Sequence, residues 1–290
     1  MNISPTYTLL RDSLCKQLNE IEDFLHADFI SFSGQIIAGT ELQFLQIIED
    51  LAKDKKDALY IMLTTPGGSA ETVERYVNII RHHYGVVNFI IPDYAYSAGT
   101  VFCMSGDDIY MDYYSTLGPI DPQVQNKDGN LVAALGYLDK VNELVDKARN
   151  NTLTKEEFLI LKDIDLAELR SYEQAKELTI DLLKDWLVKY KFKNWRVHRT
   201  NPKLKGRPVT DDEKKERAKH IADKLSDNNL WKSHARPINI HSLEQMLRLE
   251  IRDYSDDIDF RNKIRSYYFL LNDYLRKNEY LLYIHTRRFI

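Results

Sequence analysis

A serine and a pair of glycines each follow an apolar segment of the chain. Gly67 and Gly68 come after the apolar run at 58–63, within Thr-Pro-Gly-Gly-Ser, and Ser97 comes after the run at 86–91, within Tyr-Ser-Ala-Gly-Thr. The glycines offer backbone N–H groups at a turn, and the serine offers a hydroxyl where a helix is predicted to begin. Nucleophilic acyl transfer needs both features, because one group attacks and the others bind the oxyanion that forms.

Short strands that alternate with helices must position these groups. The apolar runs at 58–63 and 86–91 are typical of parallel strands that are buried on both faces. Amphipathic spacing and turn residues predict helices at 8–27, 41–53, 69–83 and 97–104 and further strands at 29–32 and 108–111. This succession predicts an α/β fold with a parallel-sheet core between residues 28 and 125.

The pattern changes after residue 125. We therefore divide the chain into an N-terminal helix (1–27), the α/β core that carries Ser97 (28–125), and a helical region with a C-terminal completion of the α/β unit (126–290). Residues 132–190 are predicted to be mostly helical, and 191–207, with seven basic residues and no acidic one, a solvated and mobile loop. Helices are predicted to start at a Thr210 capping box and after Ser242, followed by a helix at 260–278 and a strand at 280–284.

Composition excludes several classes of function. A net charge of −4 over 290 residues argues against a nucleic-acid-binding protein, although Phe192 and Trp195 lie in the basic segment. Cys15 and Cys103 are the only cysteines, which predicts free thiols in a reducing compartment and no disulfide or metal site. The sequence shows neither a signal peptide nor an apolar run long enough to span a membrane, so we expect a cytoplasmic protein with no membrane partner.

The order of four short motifs resembles the Clp-fold serine proteinases. They are Thr-Pro-Gly-Gly-Ser, Tyr-Ser-Ala-Gly-Thr, Asp-x-Ile-x-Met and Leu-Gly-Pro-Ile-Asp-Pro-Gln, all within about residues 55–125, and they are most similar to the serine dehydrogenase proteinase (SDH) family. The resemblance implies a Clp/crotonase-like fold and hydrolysis of a peptide or protein substrate through an acyl-enzyme on Ser97. It assigns the oxyanion hole to Gly68 and Ala98, with Gly67 beside them. It also implies a homo-oligomer without metal or organic cofactor.

The general base is less well defined by the sequence. Asp121 stands where the caseinolytic protease has its histidine, so the order Ser, Asp, His described for the SDH branch requires a later histidine. His234 lies in Ser-His-Ala-Arg-Pro-Ile, which resembles the Ser-His-Gly-x-Pro-Ile segment of the family with Ala235 in place of glycine. We predict that His234 is the base and that Asp121 orients it. Asp163 and Asp165 are alternative orienting residues.

Three other readings remain open at the level of sequence. Related Clp-fold enzymes use a Ser–Lys dyad, and Lys140 or Lys147 would serve as base if burial lowered its pKa. A non-catalytic scaffold would use Ser97 merely as a helix cap and the glycines merely as a turn, and the presence of Ala235 favours this reading. A crotonase-type acyl-CoA enzyme would use the paired N–H groups without a serine nucleophile.

Overall fold

A computed structural model describes residues 5–121, 123–125, 131–198 and 203–289. The helices are α1 (Pro5–Leu25), α2 (Glu41–Leu51), α3 (Ala70–His83), α4 (Ala98–Cys103), α5 (Ala134–Arg149), α6 (Lys155–Lys162), α7 (Leu166–Trp186), α8 (Asp211–Leu225), α9 (Asn228–Trp231), α10 (Ile240–Leu247) and α11 (Ile258–Asn278). The strands are β1 (Asp28–Gly34), β2 (Ala58–Thr64), β3 (Val86–Ile91), β4 (Tyr94–Ala95), β5 (Asp108–Met111), β6 (Thr116–Leu117), β7 (Gln123–Gln125), β8 (Leu131–Ala133), β9 (Arg252–Asp253) and β10 (Leu282–His285).

A six-stranded sheet in the order β10-β1-β2-β3-β5-β9 forms the centre of the fold. Only β10 runs antiparallel to its neighbour, β1, and the other pairs are parallel, with Ile30, Ile61 and Phe89 in register across three strands. The predicted α/β fold with a parallel-sheet core and C-terminal helices is therefore confirmed. Beyond β3 the chain forms a small second sheet, in which β4 pairs with β6.

Helices cover both faces of the sheet. Because successive strand residues point to opposite faces, Ile61 and Phe89 join a core with α2, α3, α4, α7 and α8, whereas Met62 and Ile90 join a second core with α1 and α11. Each core contains residues that are fully buried, which accounts for the continuous apolar runs of β2 and β3. The carboxyl ends of these strands are the edge at which the glycines and the serine emerge.

The last part of the chain contributes both edges of the sheet. Strand β9 pairs with β5, and β10 pairs with β1. The terminal strand, predicted at 280–284, thus starts two residues later and ends one residue later than its apolar run suggested. Beyond it, the Arg287 guanidinium donates hydrogen bonds to the buried carboxylates of Glu22 (2.9 Å) and Asp28 (2.6 Å), which fastens the segment after β10 to α1 and β1. The β7–β8 pair is absent from the sequence-based prediction.

The prediction that 191–207 is a solvated loop is wrong at Lys191, Phe192 and His198, whereas its other described residues are exposed or partly exposed. Lys191 ends a π-helical turn (Leu187–Lys191), its side chain is only 4% exposed, and it donates a hydrogen bond to Asp108 at 3.1 Å. His198 is also buried and pairs with Glu213 at 3.1 Å. Carboxylates distant in sequence thus pair with side chains that look solvated in the sequence. Residues 199–202 lie outside the described residues.

Helix capping agrees with one sequence prediction and corrects another. Thr210 and Glu213 form the predicted capping box at the start of α8. Helix α10, by contrast, begins at Ile240 rather than near Leu243, because the side chain of Asn239 accepts the amide hydrogen of Ser242 at 3.0 Å. Asparagine is as good an N-cap as serine, so the earlier residue defines the start of the helix.

Candidate active site

Ser97 occupies a strained turn between β4 and α4. Its backbone has φ +53° and ψ −119°, a conformation that non-glycine residues rarely adopt. Its side chain does not cap α4, although the residue is at the N-cap position. Instead, the hydroxyl donates to the backbone carbonyl of Asp121 at 3.2 Å, and the residue is 5% exposed. The capping reading of Ser97 is therefore wrong.

The glycine turn after β2 lies directly against this serine. A Cβ atom at Gly67 would stand 2.8 Å from Cβ of Ser97 and 2.9 Å from the carbonyl oxygen of Tyr96. Gly67 has φ +109° and Gly68 has φ +149°, so both adopt backbone conformations that favour glycine. Only a residue without a side chain permits this approach of the turn to the nucleophile.

Two backbone amides at this contact have no acceptor among the described residues. Gly67 donates its N–H to the Thr65 hydroxyl at 3.0 Å, so this amide is committed within the turn. The described part of the chain offers no hydrogen-bond acceptor to the N–H groups of Gly68 and Ala98. Ala98 is the first residue of α4, where amides lack an intrahelical partner. Of the three residues assigned to the oxyanion hole, Gly68 and Ala98 thus retain a free donor.

Asp121 and His234 come together although they are far apart in sequence. Leu117 and Ile238 form an antiparallel bridge, with N–H···O distances of 3.0 and 2.8 Å in the two directions, and this bridge brings the segment of His234 beside that of Asp121. The His234 Nδ1 atom lies 4.0 Å from Oδ2 of Asp121. Both atoms are buried, and neither has a hydrogen-bond partner within the described ranges. The other carboxylate oxygen accepts the amide hydrogen of Leu135 at 2.9 Å.

Burial controls the protonation of this pair. It lowers the pKa of His234 below its ordinary value of 6.5, and the nearby carboxylate of Asp121 only partly opposes this effect. Burial likewise raises the pKa of Asp121, against the hydrogen bond from the Leu135 amide and the attraction of His234. His234 is consequently a neutral imidazole at neutral pH, the form that accepts a proton.

The two candidate lysines are engaged with carboxylates on the helical region. Lys140 is 60% exposed and donates to Glu143 at 2.9 Å. Lys147 contacts Glu143 at 3.0 Å and Glu157 at 2.7 Å, and hydrogen bonds to these two carboxylates raise its pKa. A lysine base requires the opposite shift. Asp163 and Asp165 are both helix-terminal residues, and Asp165 caps α7 through the amides of Ala167 and Glu168.

Two threonines that sequence reasoning missed hold the site together. The buried Thr100 hydroxyl donates toward the carbonyls of Ala95 (2.8 Å) and Gly118 (2.9 Å) and accepts the Gly118 amide at 3.1 Å. It therefore ties the serine turn to the segment that leads to Asp121. The Thr65 hydroxyl accepts the Gly67 amide within the glycine turn, and the Thr65 carbonyl accepts the Tyr96 amide at 3.0 Å, which links this turn to the segment of Ser97. The hydroxyl residues beside both motifs are the signal that was available in the sequence.

Comparison with known families decides the classification. The sequence model of the ClpP-like SDH-type serine proteinases matches residues 37–205. The chain belongs to this family. The family match includes Gly67, Gly68, Ser97 and Asp121, whereas His234 lies beyond its end. The predicted resemblance to the SDH branch of the Clp-fold serine proteinases is confirmed.

Individual relatives carry less information about function than the match to the SDH-type family does. Uncharacterized proteins MJ1495 and MJ0137 of Methanocaldococcus jannaschii are 28% and 31% identical over 186 and 144 residues, or 64% and 49% of this chain. The chain spans about half of their length, 49% and 45%.

Two solved structures of 1510-N membrane-bound stomatin-specific protease are also similar. A serine-to-alanine mutant has TM-score 0.44 and 16% identity, covering 79% of this chain and 81% of its own. A lysine-to-alanine mutant with a substrate peptide has TM-score 0.32 and 25% identity, covering 49% and 77%.

Two further properties concern the described residues alone. None of their helices combines the length and the apolar character that crossing a bilayer requires. The same ranges contain no group of three or more His, Cys, Asp or Glu side chains arranged to hold a metal ion.

Proposed function

We propose that this protein is a serine endopeptidase that cleaves peptide bonds through an acyl-enzyme on Ser97. The observation that carries the proposal is the strained turn of Ser97, which stands against two amides without an acceptor, those of Gly68 and Ala98. Family membership supports the same class of chemistry. Removing one oxyanion donor from a site of this kind typically costs about 3 kcal/mol in the transition state.

The proposed reaction begins with attack by Ser97 Oγ on the substrate carbonyl carbon. The Oγ–C bond forms, the hydroxyl proton passes to Nε2 of His234, and the amides of Gly68 and Ala98 donate to the carbonyl oxygen. Collapse of this intermediate breaks the C–N bond, and the imidazolium returns its proton to the leaving amine. Water then attacks the acyl-enzyme with His234 again as base, which releases the carboxylic acid and restores the hydroxyl.

Asp121 supports this role of His234. Its carboxylate faces Nδ1, so it selects the tautomer that leaves Nε2 free to accept the proton. We propose that the 4.0 Å separation closes to hydrogen-bond distance when substrate occupies the site, as catalytic hydrogen bonds commonly tighten in the substrate complex. The lowered pKa of His234 keeps the imidazole neutral at neutral pH, ready for the first proton transfer.

The test is fluorophosphonate labelling followed by intact mass measurement. The wild type should gain one adduct. Ser97→Ala should gain none, and His234→Ala and Asp121→Asn should react much more slowly. Lys140→Ala should label as the wild type does, because its charge is already paired at the surface. A folded wild type that takes up no label, in whatever assembly it forms, would refute the peptidase assignment and favour the scaffold.

The physiological setting is part of the same proposal. We propose a peptide or protein substrate, no cofactor, assembly into a homo-oligomer, and a cytoplasmic location. The two cysteines support the location, because Cys15 and Cys103 are both free thiols and burial raises the pKa of Cys103. Size-exclusion chromatography with light scattering tests the oligomer, and a single-chain mass would contradict it.

A further inference from the structure

A cavity lies outside the catalytic centre, between α11 and two loops at the carboxyl edge of the sheet. Its volume is about 600 Å³, within the range of pockets that bind ligands. Its wall includes Asp93, Tyr113, Tyr114, Phe269, Asn272 and Arg276. Helix α11 lies beyond the residues that match the SDH-type family, whereas Asp93, Tyr113 and Tyr114 lie within them. We call this cavity the α11 cavity.

We propose that the α11 cavity binds an extended segment of the peptide substrate that carries a bulky apolar side chain three to five residues from the scissile bond. This inference rests on the proposed peptidase function and adds a substrate preference to it. The α11 cavity has an exposed aromatic wall and balanced charges, and its walls are separated from Ser97 by only a few residues of chain.

The wall of the α11 cavity exposes an unusual amount of aromatic surface. Tyr113, Tyr114 and Phe269 are 66%, 60% and 62% exposed. Large aromatic side chains clustered around one concavity are the typical anchors of a binding surface. The wall is held in place from behind, since Arg265 donates to Asp112 at 3.0 Å and to the Tyr113 hydroxyl at 3.1 Å. An apolar side chain therefore finds a surface that is already positioned to receive it.

The charged groups of the α11 cavity favour a peptide over a polyanion. Its lining holds two carboxylates, Asp93 and Asp273, and two guanidinium groups, Arg265 and Arg276, so the formal charges cancel. The Arg276 side chain has no hydrogen bond or ion pair within the described ranges. A guanidinium donates to a peptide carbonyl, and the amide of Asn272 both donates and accepts, as a peptide backbone requires.

The walls of the cavity continue into the catalytic segments. Asp93 directly precedes β4, which leads to Ser97, and Tyr114 lies two residues before β6, which leads to Asp121. The carbonyl of Asp93 accepts the Thr116 amide at 2.7 Å, so the two walls are joined. Ser97 is four positions after Asp93 in the chain, a separation that spans at most about 14 Å. A substrate chain of similar length reaches from the nucleophile to the cavity, which sets the position of the preferred side chain.

Cleavage of denatured casein, read by mass spectrometry, tests the preference. The wild-type sites should be enriched in aromatic or large aliphatic residues three to five positions from the cut, on one side. Phe269→Ala should remove this enrichment. The matched control is Phe158→Ala on α6, where a phenylalanine of similar exposure (55%) lies outside the cavity, and it should retain the wild-type profile. Equal profiles for the two variants would overturn the inference.

Kinetics on a fluorogenic decapeptide chosen from that profile give a sharper result. Replacing the distal apolar residue by alanine, or Phe269 by alanine, should each raise KM roughly tenfold at constant kcat. The two changes together should do no more than one alone, because they remove the same contact. Additive effects would overturn the inference. Phe158→Ala should leave both KM and kcat at their wild-type values, because it lies outside the cavity.

A binding measurement separates failure of this inference from failure of the proposed function. Fluorescein-labelled Gly-Ser decapeptides with one phenylalanine are titrated with Ser97→Ala and with Ser97→Ala/Phe269→Ala, and anisotropy is recorded. Binding weakened roughly tenfold in the double variant supports the cavity, even if the wild type neither labels nor cleaves. Equal binding, or none, overturns the cavity, whatever the labelling shows about Ser97.

Discussion

Gly67→Ala tests whether the close approach of the glycine turn is what holds the nucleophile in place. The new Cβ would lie 2.8 Å from Cβ of Ser97 and 2.9 Å from the Tyr96 carbonyl oxygen, 0.6 and 0.5 Å inside the 3.4 Å limit of ordinary contact. Both neighbours are backbone or Cβ atoms, so no side-chain rotation relieves the contact. The serine turn and the glycine turn must move apart.

The loss of unfolding free energy expected for Gly67→Ala has two contributions. Alanine at the φ of +109° costs about 1–2 kcal/mol of unfolding free energy for strain alone. Overpacking of the rigid contact adds about 1–3 kcal/mol, which gives roughly 2–5 kcal/mol in total. A shift of about half an ångström between the Ser97 hydroxyl and the Gly68 amide should also slow labelling roughly 10- to 100-fold, since a misplacement of about 1 Å already costs about 100-fold.

Gly39→Ala is the matched control. Gly39 has φ +93°, but no heavy atom lies within 4 Å of the position that its Cβ would take. This variant should lose only about 1–2 kcal/mol and label at the wild-type rate. Urea unfolding and the second-order rate of fluorophosphonate labelling are measured for both variants. Equal labelling rates would refute the idea that the glycine turn positions Ser97.

Three other substitutions have distinct expected results. Asp121→Asn removes the charge that favours the imidazolium, so the pKa of His234 should fall further and the acid limb of the labelling profile should move to lower pH. The maximum labelling rate should drop about 1,000-fold. An acid limb that does not move would contradict the pairing of Asp121 with His234. Lys147→Ala should not change labelling, and a large loss would instead favour a Ser–Lys dyad. Arg287→Ala should lower the unfolding free energy in urea by about 3 kcal/mol, because the carboxylates of Glu22 and Asp28 stay buried without the guanidinium. A loss under about 0.5 kcal/mol would show that water replaces the guanidinium.

The pH dependence of fluorophosphonate labelling of the wild type tests His234 as the base without any substitution. A base must be neutral to accept the Ser97 proton, and burial lowers the pKa of His234 below 6.5. The labelling rate should therefore hold as pH falls through 6.5 and decline only below the lowered pKa. An acid limb centred above 6.5 would argue against a buried imidazole as the base.

Local sequence signals predicted much of the core and the first half of the site. The apolar runs of β2 and β3 identify these strands from local sequence, without knowledge of the neighbouring strands. The glycines after β2 indicate a turn whose backbone conformation favours glycine. The position of Ser97 follows from the same logic, since it comes six positions after the end of such a run, where a helix is predicted to begin. The roles of Asp121 and His234 came from a resemblance rather than from local chemistry, and these roles remain predictions although the fold places the two side chains 4.0 Å apart.

Features that depend on distant partners escaped the sequence. Strand β9 consists of Arg252 and Asp253, two exposed residues without an apolar pattern, and it is a strand only because β5 lies beside it. Lys191 reads as a surface charge until Asp108 is placed next to it. The Thr100 hydroxyl bridges two segments that have separate motifs, so neither motif reveals the bridge.

The antiparallel pairing of β10 with β1 has a consequence for how the protein is made. Ser31 pairs with His285 and Phe32 with Ile284, so the sheet gains this edge strand only when a segment 254 residues after Ser31 has left the ribosome. Until α11 arrives, the face of the sheet that carries Met62 and Ile90 lacks half of its cover. Contacts between residues so distant in sequence form slowly, and uncovered apolar strands aggregate. We expect efficient folding during synthesis to require a chaperone that shields this face until the final helix docks.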